Sequence, residues 1–160
     1  MQTLFEIGEV LFGGHLGPAG GRQVLDQRGR RLHTEHFLQP AVELVGIGSQ
    51  TLGDIGHAIQ SHAERQRYSV VRDFCGHGLG RLFHDAPEVV HAGRAGTGPE
   101  LKPGMIFTVE PMINIGRADC KMLDDGWTAV TRDRSLSAQF EHSIGITEDG
   151  CEIFTKSPRG

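Results

Sequence analysis

The chain has 160 residues, 38% of them hydrophobic, and 16 basic against 20 acidic residues give it a net charge of −4. That length suits one domain with a proper core rather than two, and the acid excess leaves no basic footprint for nucleic acid or an anionic membrane. No run approaches the ~18 apolar residues of a spanning helix, and residues 1–12 lack a basic n-region and a cleavage signature, so the expectation is a cytoplasmic protein with small or peptidic partners.

Residues 12–40 mix glycine with arginine and histidine and show no sustained period, which reads as loop or disorder. Their GGHLGPAGG run has neither the lysine and hydroxyl of a phosphate loop nor dinucleotide spacing. From Thr51 the pattern sharpens. Thr51 with Asp54 forms a capping-box signal, and Leu52, Ile55, Ile59 and Ala63 recur at helical spacing, predicting a helix to about Arg65. Tyr68 to Phe74 is valine-rich and predicts a strand leading into Cys75-Gly76-His77-Gly78-Leu79-Gly80, where the glycines would let the backbone turn around His77.

Lys102-Pro103-Gly104 marks a turn, followed by an apolar strand from Met105 to Pro111 in which Glu110 carries the only charge. Asp124-Asp125-Gly126 opens a hairpin into Trp127. From Ser135 to Ile146, Leu136, Ala138, Phe140, His142, Ile144 and Ile146 alternate with polar residues, so Glu141 should point away from the Phe140 face. Asp149-Gly150 turns into a last strand, Cys151 to Phe154. These elements predict an α+β domain with mainly antiparallel strands. Cys75, Cys120 and Cys151 are odd in number and widely spaced, which favours reduced, structural thiols over a zinc knuckle or redox pair.

A carboxylate within the apolar 105–111 strand costs several kcal/mol unless a cation, a proton or a charged neighbour compensates it. Taken alone, Glu110 reads more readily as an exposed strand end paired with an arginine than as a ligand, His77 as a core histidine, and Glu141 as a solvent-facing carboxylate. His84, beside Asp85, reads alone as a surface histidine, and His142 as structural. One imidazole and two carboxylates, if they converge, make a donor set for divalent Mn, Fe, Co or Zn, because two glutamates meeting without a cation would repel.

The blocks TLGDIGHAIQ, YSVVRDFCGHGLGRLFHDAPEVVH, LKPGMIFTVEPMINIG and MLDDGWTAVTRDRSLSAQFEHSIGITEDGCEIFT resemble type I methionine aminopeptidases in order and spacing, over about residues 48–154. The resemblance implies a pita-bread fold, here partial, with a mostly antiparallel sheet and flanking helices. It implies His77, Glu110 and Glu141 as metal ligands, Glu141 bridging two metals. His84 would stabilise the charge developing on the scissile amide, which with Glu110 makes the catalytic pair. Phe83 and Trp127 would line the methionine pocket, and Cys75 would be structural. The reaction implied is metal-assisted removal of the initiator methionine from nascent chains at the ribosome, a glutamate accepting the water's proton.

Two aspartate ligands of the family have no counterpart here. Thr3 to Gly8 resembles the strand that follows the second of them, which places that aspartate before Met1, and neither Asp26 nor Asp54 has the motif to replace it. Residues 1–47 match poorly and read as a loop-like or frame-altered segment ahead of a catalytic half at 48–160. The expectations are at most one weakly held metal and negligible turnover. The alternatives are a non-catalytic remnant, a peptide-binding module of the same fold, and a relative of the X-Pro peptidases.

Overall fold

A computed structural model describes residues 24–25, 31–32, 39–40, 42–43 and 51–156. The strand reading of residues 3–8, and most of the loop-like reading of 12–47, lie outside the described residues. Within that segment, β1 (Val24–Leu25) and β2 (Arg31–Leu32) pair as a short antiparallel hairpin.

The one long described helix, α1 (Leu52–Arg65), starts where the capping signal places it. The Thr51 N–H donates to Asp54 Oδ2 at 2.9 Å, and Asp54 Oδ1 accepts the Gly96 N–H at 2.7 Å, so a single carboxylate satisfies the helix entry and ties it to a later loop. Leu52, Ile55, Ile59 and Ala63 form its buried stripe. The stripe packs into a core with Val89, Phe107, Val109, Ile113 and Ile144.

After the helix come β3 (Ser69–Val70), β4 (Gly76–Gly78), β5 (Asp85–Val89), β6 (Ile106–Val109), β7 (Met112–Asn114), β8 (Cys120–Met122), β9 (Ala129–Thr131), β10 (Ser137–Gln139), β11 (His142–Ile146) and β12 (Cys151–Ile153). They form a three-stranded sheet in the order β10-β7-β3, a five-stranded sheet in the order β12-β11-β6-β4-β5, and a β8-β9 hairpin. Every pairing among them is antiparallel.

The chain leaves one sheet for the other at three places. The strand expected over 68–74 ends early, at Val70, and β4 follows at Gly76; the strand expected over 105–111 ends at Val109 and β7 follows at Met112; and the strand expected to run through 135–146 breaks between Gln139 and His142. In each case one piece lies in the three-stranded sheet and the other in the five-stranded sheet. The breaks therefore align into a seam that crosses three adjacent strands. Pro111, which has no N–H to give a ladder, sits at the middle one.

Gly76 and Gly78, expected to let the backbone turn around His77, lie instead in the strand β4. A Cβ on Gly76 would collide with the Thr108 carbonyl of β6, and one on Gly78 with the Ala86 carbonyl of β5. Glycine at both sites lets β4 lie between two close backbones, and His77 alternates onto the opposite face, where it is half-buried.

Candidate metal centre

Breaking three strands along one line frees backbone groups from the ladders and gathers the residues at the breaks. His77 lies just beyond the first break, Glu110 at the second and Glu141 at the third. His77 Nε2 and Glu110 Oε1 are 3.7 Å apart, with both side chains largely shielded from solvent, 13% and 12% exposed.

Local hydrogen bonds orient both groups. His77 Nδ1 lies 3.0 Å from the Gly78 carbonyl, which can only accept, so that nitrogen carries a proton and Nε2 is the nitrogen turned toward Glu110. Thr108 donates its hydroxyl to Glu110 Oε1 at 2.8 Å and takes the His77 backbone N–H at 2.9 Å, coupling the two candidate ligands through one side chain. Gln139 donates from Nε2 to Glu110 Oε2 at 3.2 Å. Burial pushes the Glu110 carboxyl above its ordinary range, and the nearby Glu141 charge adds to this, whereas the Thr108 hydrogen bond and His77 pull it down.

The Glu110 N–H, freed at the break, donates to Nε2 of His91 at 3.0 Å. His91 is 3% exposed, and burial lowers its pKa to about 4, so the ring is neutral and accepts. The sign of its pH effect follows. Between about pH 4 and the ordinary value of about 6.5 the unfolded chain binds a proton that the folded chain refuses. This contribution to stability is complete above pH 6.5 and is lost as pH falls toward 4, for a total of about 3 kcal/mol. Urea denaturation at pH 7.5 and 5.0 should give a clearly smaller difference for His91→Gln than for the unchanged chain, and equal differences would contradict this account.

Around this pair, the His84 ring stands edge-on to His77 with centroids 4.4 Å apart, and Phe83 lies 5.4 Å from His77 and 4.8 Å from His84. Phe83 is 54% exposed. Trp127 lies on the β8–β9 turn, where Asp125 Oδ1 accepts its N–H at 3.0 Å, and its side chain is equally exposed. Glu141 is exposed in the gap between β10 and β11. Among the described residues no group of three or more His, Cys, Asp or Glu side chains is close enough to hold a metal ion. His77, Glu110, Phe83 and His84 are thus brought together, Glu141 is felt by Glu110 only through its charge, and Trp127 sits on a separate hairpin. His142, read as structural, has Nδ1 2.9 Å from Thr155 Oγ1, and the three cysteines are free thiols.

The donor chemistry fits a divalent cation. An imidazole whose Nδ1 is committed turns Nε2 toward a carboxylate that is shielded from water and held by two hydrogen bonds, and a cation would relieve the burial that raises Glu110. His91, Thr108 and Gln139, which hold this arrangement, were not singled out from sequence. Thr108 was the most accessible of the three, as a hydroxyl two residues before Glu110 on the same strand face. His91 and Gln139 gave no local signal.

Residues 34–148 match the metallopeptidase family M24. The chain belongs to that family. The M24 match begins earlier than the resemblance at residues 48–154. The chain is 59% identical over 122 residues to methionine aminopeptidase A of Synechocystis, covering 76% of this chain and 48% of that one. Its fold is close to the crystal structure of the Rickettsia prowazekii methionine aminopeptidase, with TM-score 0.73, 58% identity and coverage of 77% of this chain and 50% of that one. The Thermotoga maritima methionine aminopeptidase gives TM-score 0.77 at 40% identity over 86% and 58%. The fold is thus the α+β pita-bread arrangement of M24 aminopeptidases, and the chain spans about half the length of the curated relatives it matches. Among its described residues no helix is long and apolar enough to cross a membrane.

Proposed function

We propose that this M24 chain carries the C-terminal ligand set of a methionine aminopeptidase acting on N-terminal methionyl peptides. The observation that carries the reading is the approach of His77 Nε2 to Glu110 Oε1 at 3.7 Å, at the seam of the two sheets and beside the His84 ring. His77, Glu110 and Glu141 would hold divalent metal, with Co, Mn, Fe and Zn all compatible with one nitrogen and two carboxylates. When bound, the metal supplies Lewis acidity toward the scissile carbonyl and the attacking water.

The protein's own groups do the rest. Glu110, with a carboxyl raised by burial, is suited to take a proton from water and pass it on. His84, exposed beside His77, donates a hydrogen bond to the amide oxygen as charge develops there. Phe83 and Trp127 offer apolar surface to the methionine side chain. The substrates are nascent chains emerging from the ribosome, in the cytoplasm. The relatives from Synechocystis, Rickettsia prowazekii and Thermotoga maritima, at 40–59% identity, are methionine aminopeptidases, which favours this reading over an X-Pro peptidase or a peptide-binding module.

These 160 residues offer one histidine and two glutamates as candidate donors, and a site with so few anionic donors holds a divalent cation weakly. Purified alone, the chain should bind at most one Mn or Co and release methionine from a Met-Ala-Ser peptide no faster than the metal in buffer. Elemental analysis and a methionine-release assay test both points. Two tightly held metals per chain, or turnover that disappears in Glu110→Gln, would refute the predicted impairment, and no metal binding at all would refute the site.

A further inference from the structure

A cavity of about 410 Å3 opens beside the seam, lined by Gln60, Arg72, Phe74, His91 and Arg94 among others. Among the described residues no aspartate or glutamate lines it. Asp73, next to Arg72 in sequence, lines a second cavity with Arg117 and Arg132 instead. In a chain of net charge −4 this is a local concentration of hydrogen-bond donors.

His91 forms the inner wall. Because its Nε2 accepts the Glu110 N–H, the ring proton sits on Nδ1. Among the described residues Nδ1 makes no hydrogen bond, and it is not one of the sealed-off unsatisfied atoms of the core, so it stays open to an acceptor from solvent or from the cavity that His91 lines. Arg72 and Arg94 form no ion pair among the described residues. Gln60 is already committed. Its Oε1 accepts the Gly93 N–H at 2.9 Å and its Nε2 donates to Glu64 at 2.7 Å, which fixes the loop that carries Arg94.

We propose that this cavity is a binding site for a small oxyanion, of the phosphate or carboxylate class, held between the Arg72 and Arg94 guanidinium groups with one oxygen accepting the His91 Nδ1–H. A cation would meet two positive charges there, and a neutral apolar ligand would leave the Nδ1–H without an acceptor. Two charge-assisted contacts and one neutral hydrogen bond at a partly open site suggest a Kd of about 1–10 mM for a simple ion. The same imidazole holds the Glu110 backbone, so occupancy of the cavity and the state of the seam are linked, and by reciprocity metal at Glu110 would change the anion affinity. The proposal stands independently of the aminopeptidase reading.

The test uses the 160-residue chain with 15N-labelled histidine, titrated with sodium phosphate and separately with sodium acetate at constant ionic strength. The expected result is a saturable shift of the His91 ring nitrogens, weakened at least about tenfold in the Arg72→Ala, Arg94→Ala double variant. These exposed positions carry no core packing, so the variant should keep the fold, which circular dichroism checks. Saturation by phosphate assigns the site to a free oxyanion, and saturation by acetate alone assigns it to a carboxylate. A shift reproduced by sodium chloride at matched ionic strength, or an unchanged Kd in the double variant, would overturn the proposal.

Discussion

Alanine in place of His77 is expected to weaken Mn or Co binding by the chain about 100-fold or more. Outer-shell partners of a metal site already account for 10- to 100-fold each, and His77 would be the sole nitrogen donor to the ion. The side chain is half-buried, its Nε2 faces Glu110 Oε1, and its Nδ1 is satisfied by the Gly78 carbonyl, so removing the ring leaves Glu110 shielded from water and without its neighbour. Two controls make the result specific. His84→Ala, which removes a ring 4.4 Å away that is proposed to act on substrate, should change metal affinity less than about threefold. Gln139→Leu, which removes one of the hydrogen bonds that orient Glu110, should cost about tenfold. Titration calorimetry of the three variants decides it. Equal losses for His77→Ala and His84→Ala would place the metal elsewhere, and unchanged binding in His77→Ala would remove this histidine from the site.

Phe107→Ala should produce the largest loss of stability, about 3–5 kcal/mol. Phe107 is fully buried in β6, the strand to which β4 and β11 pair on either side, and it registers with Gly78 on one and Ile144 on the other. Truncation leaves a cavity with rigid walls, because backbone ladders hold both neighbours in place. At a urea m-value of about 2 kcal/mol per molar, typical of small domains, the midpoint should fall by roughly 2 M. A shift under about 0.5 M would mean that the sheet collapses onto the gap and that β6 is not the rigid centre described here. The substitution should also weaken metal binding, since β6 positions Thr108 and Glu110, and comparison with His77→Ala separates the two effects: that change should leave the urea midpoint nearly intact.

Local chemistry made part of this legible in advance. The Thr51 and Asp54 cap and the 3.6-residue recurrence of Leu52, Ile55, Ile59 and Ala63 gave the helix to the residue at its start and its end, because both signals are complete within fifteen positions. The Asp124-Asp125-Gly126 and Asp149-Gly150 turns were readable for the same reason, and the structure joins β8 to β9 and β11 to β12 at those places. The strand breaks were not readable. Phe140 and His142 continue the alternation straight through the gap between β10 and β11, so side-chain period alone carries no sign that the backbone changes sheets.

The sequence by itself determined the chain's family, its helix and its turns, since these depend on residue type, block order and short-range spacing; His77, Glu110 and Glu141 became candidate donors only through the family resemblance, because residue type alone leaves each of them open. Only the tertiary structure decided that His77 meets Glu110 while Glu141 remains exposed, and that His91, Thr108 and Gln139 hold the pair in place. The physical reason is the seam. Three strands far apart in the chain leave one sheet for another at the same level, and the backbone groups released there must find partners from elements that are distant in sequence.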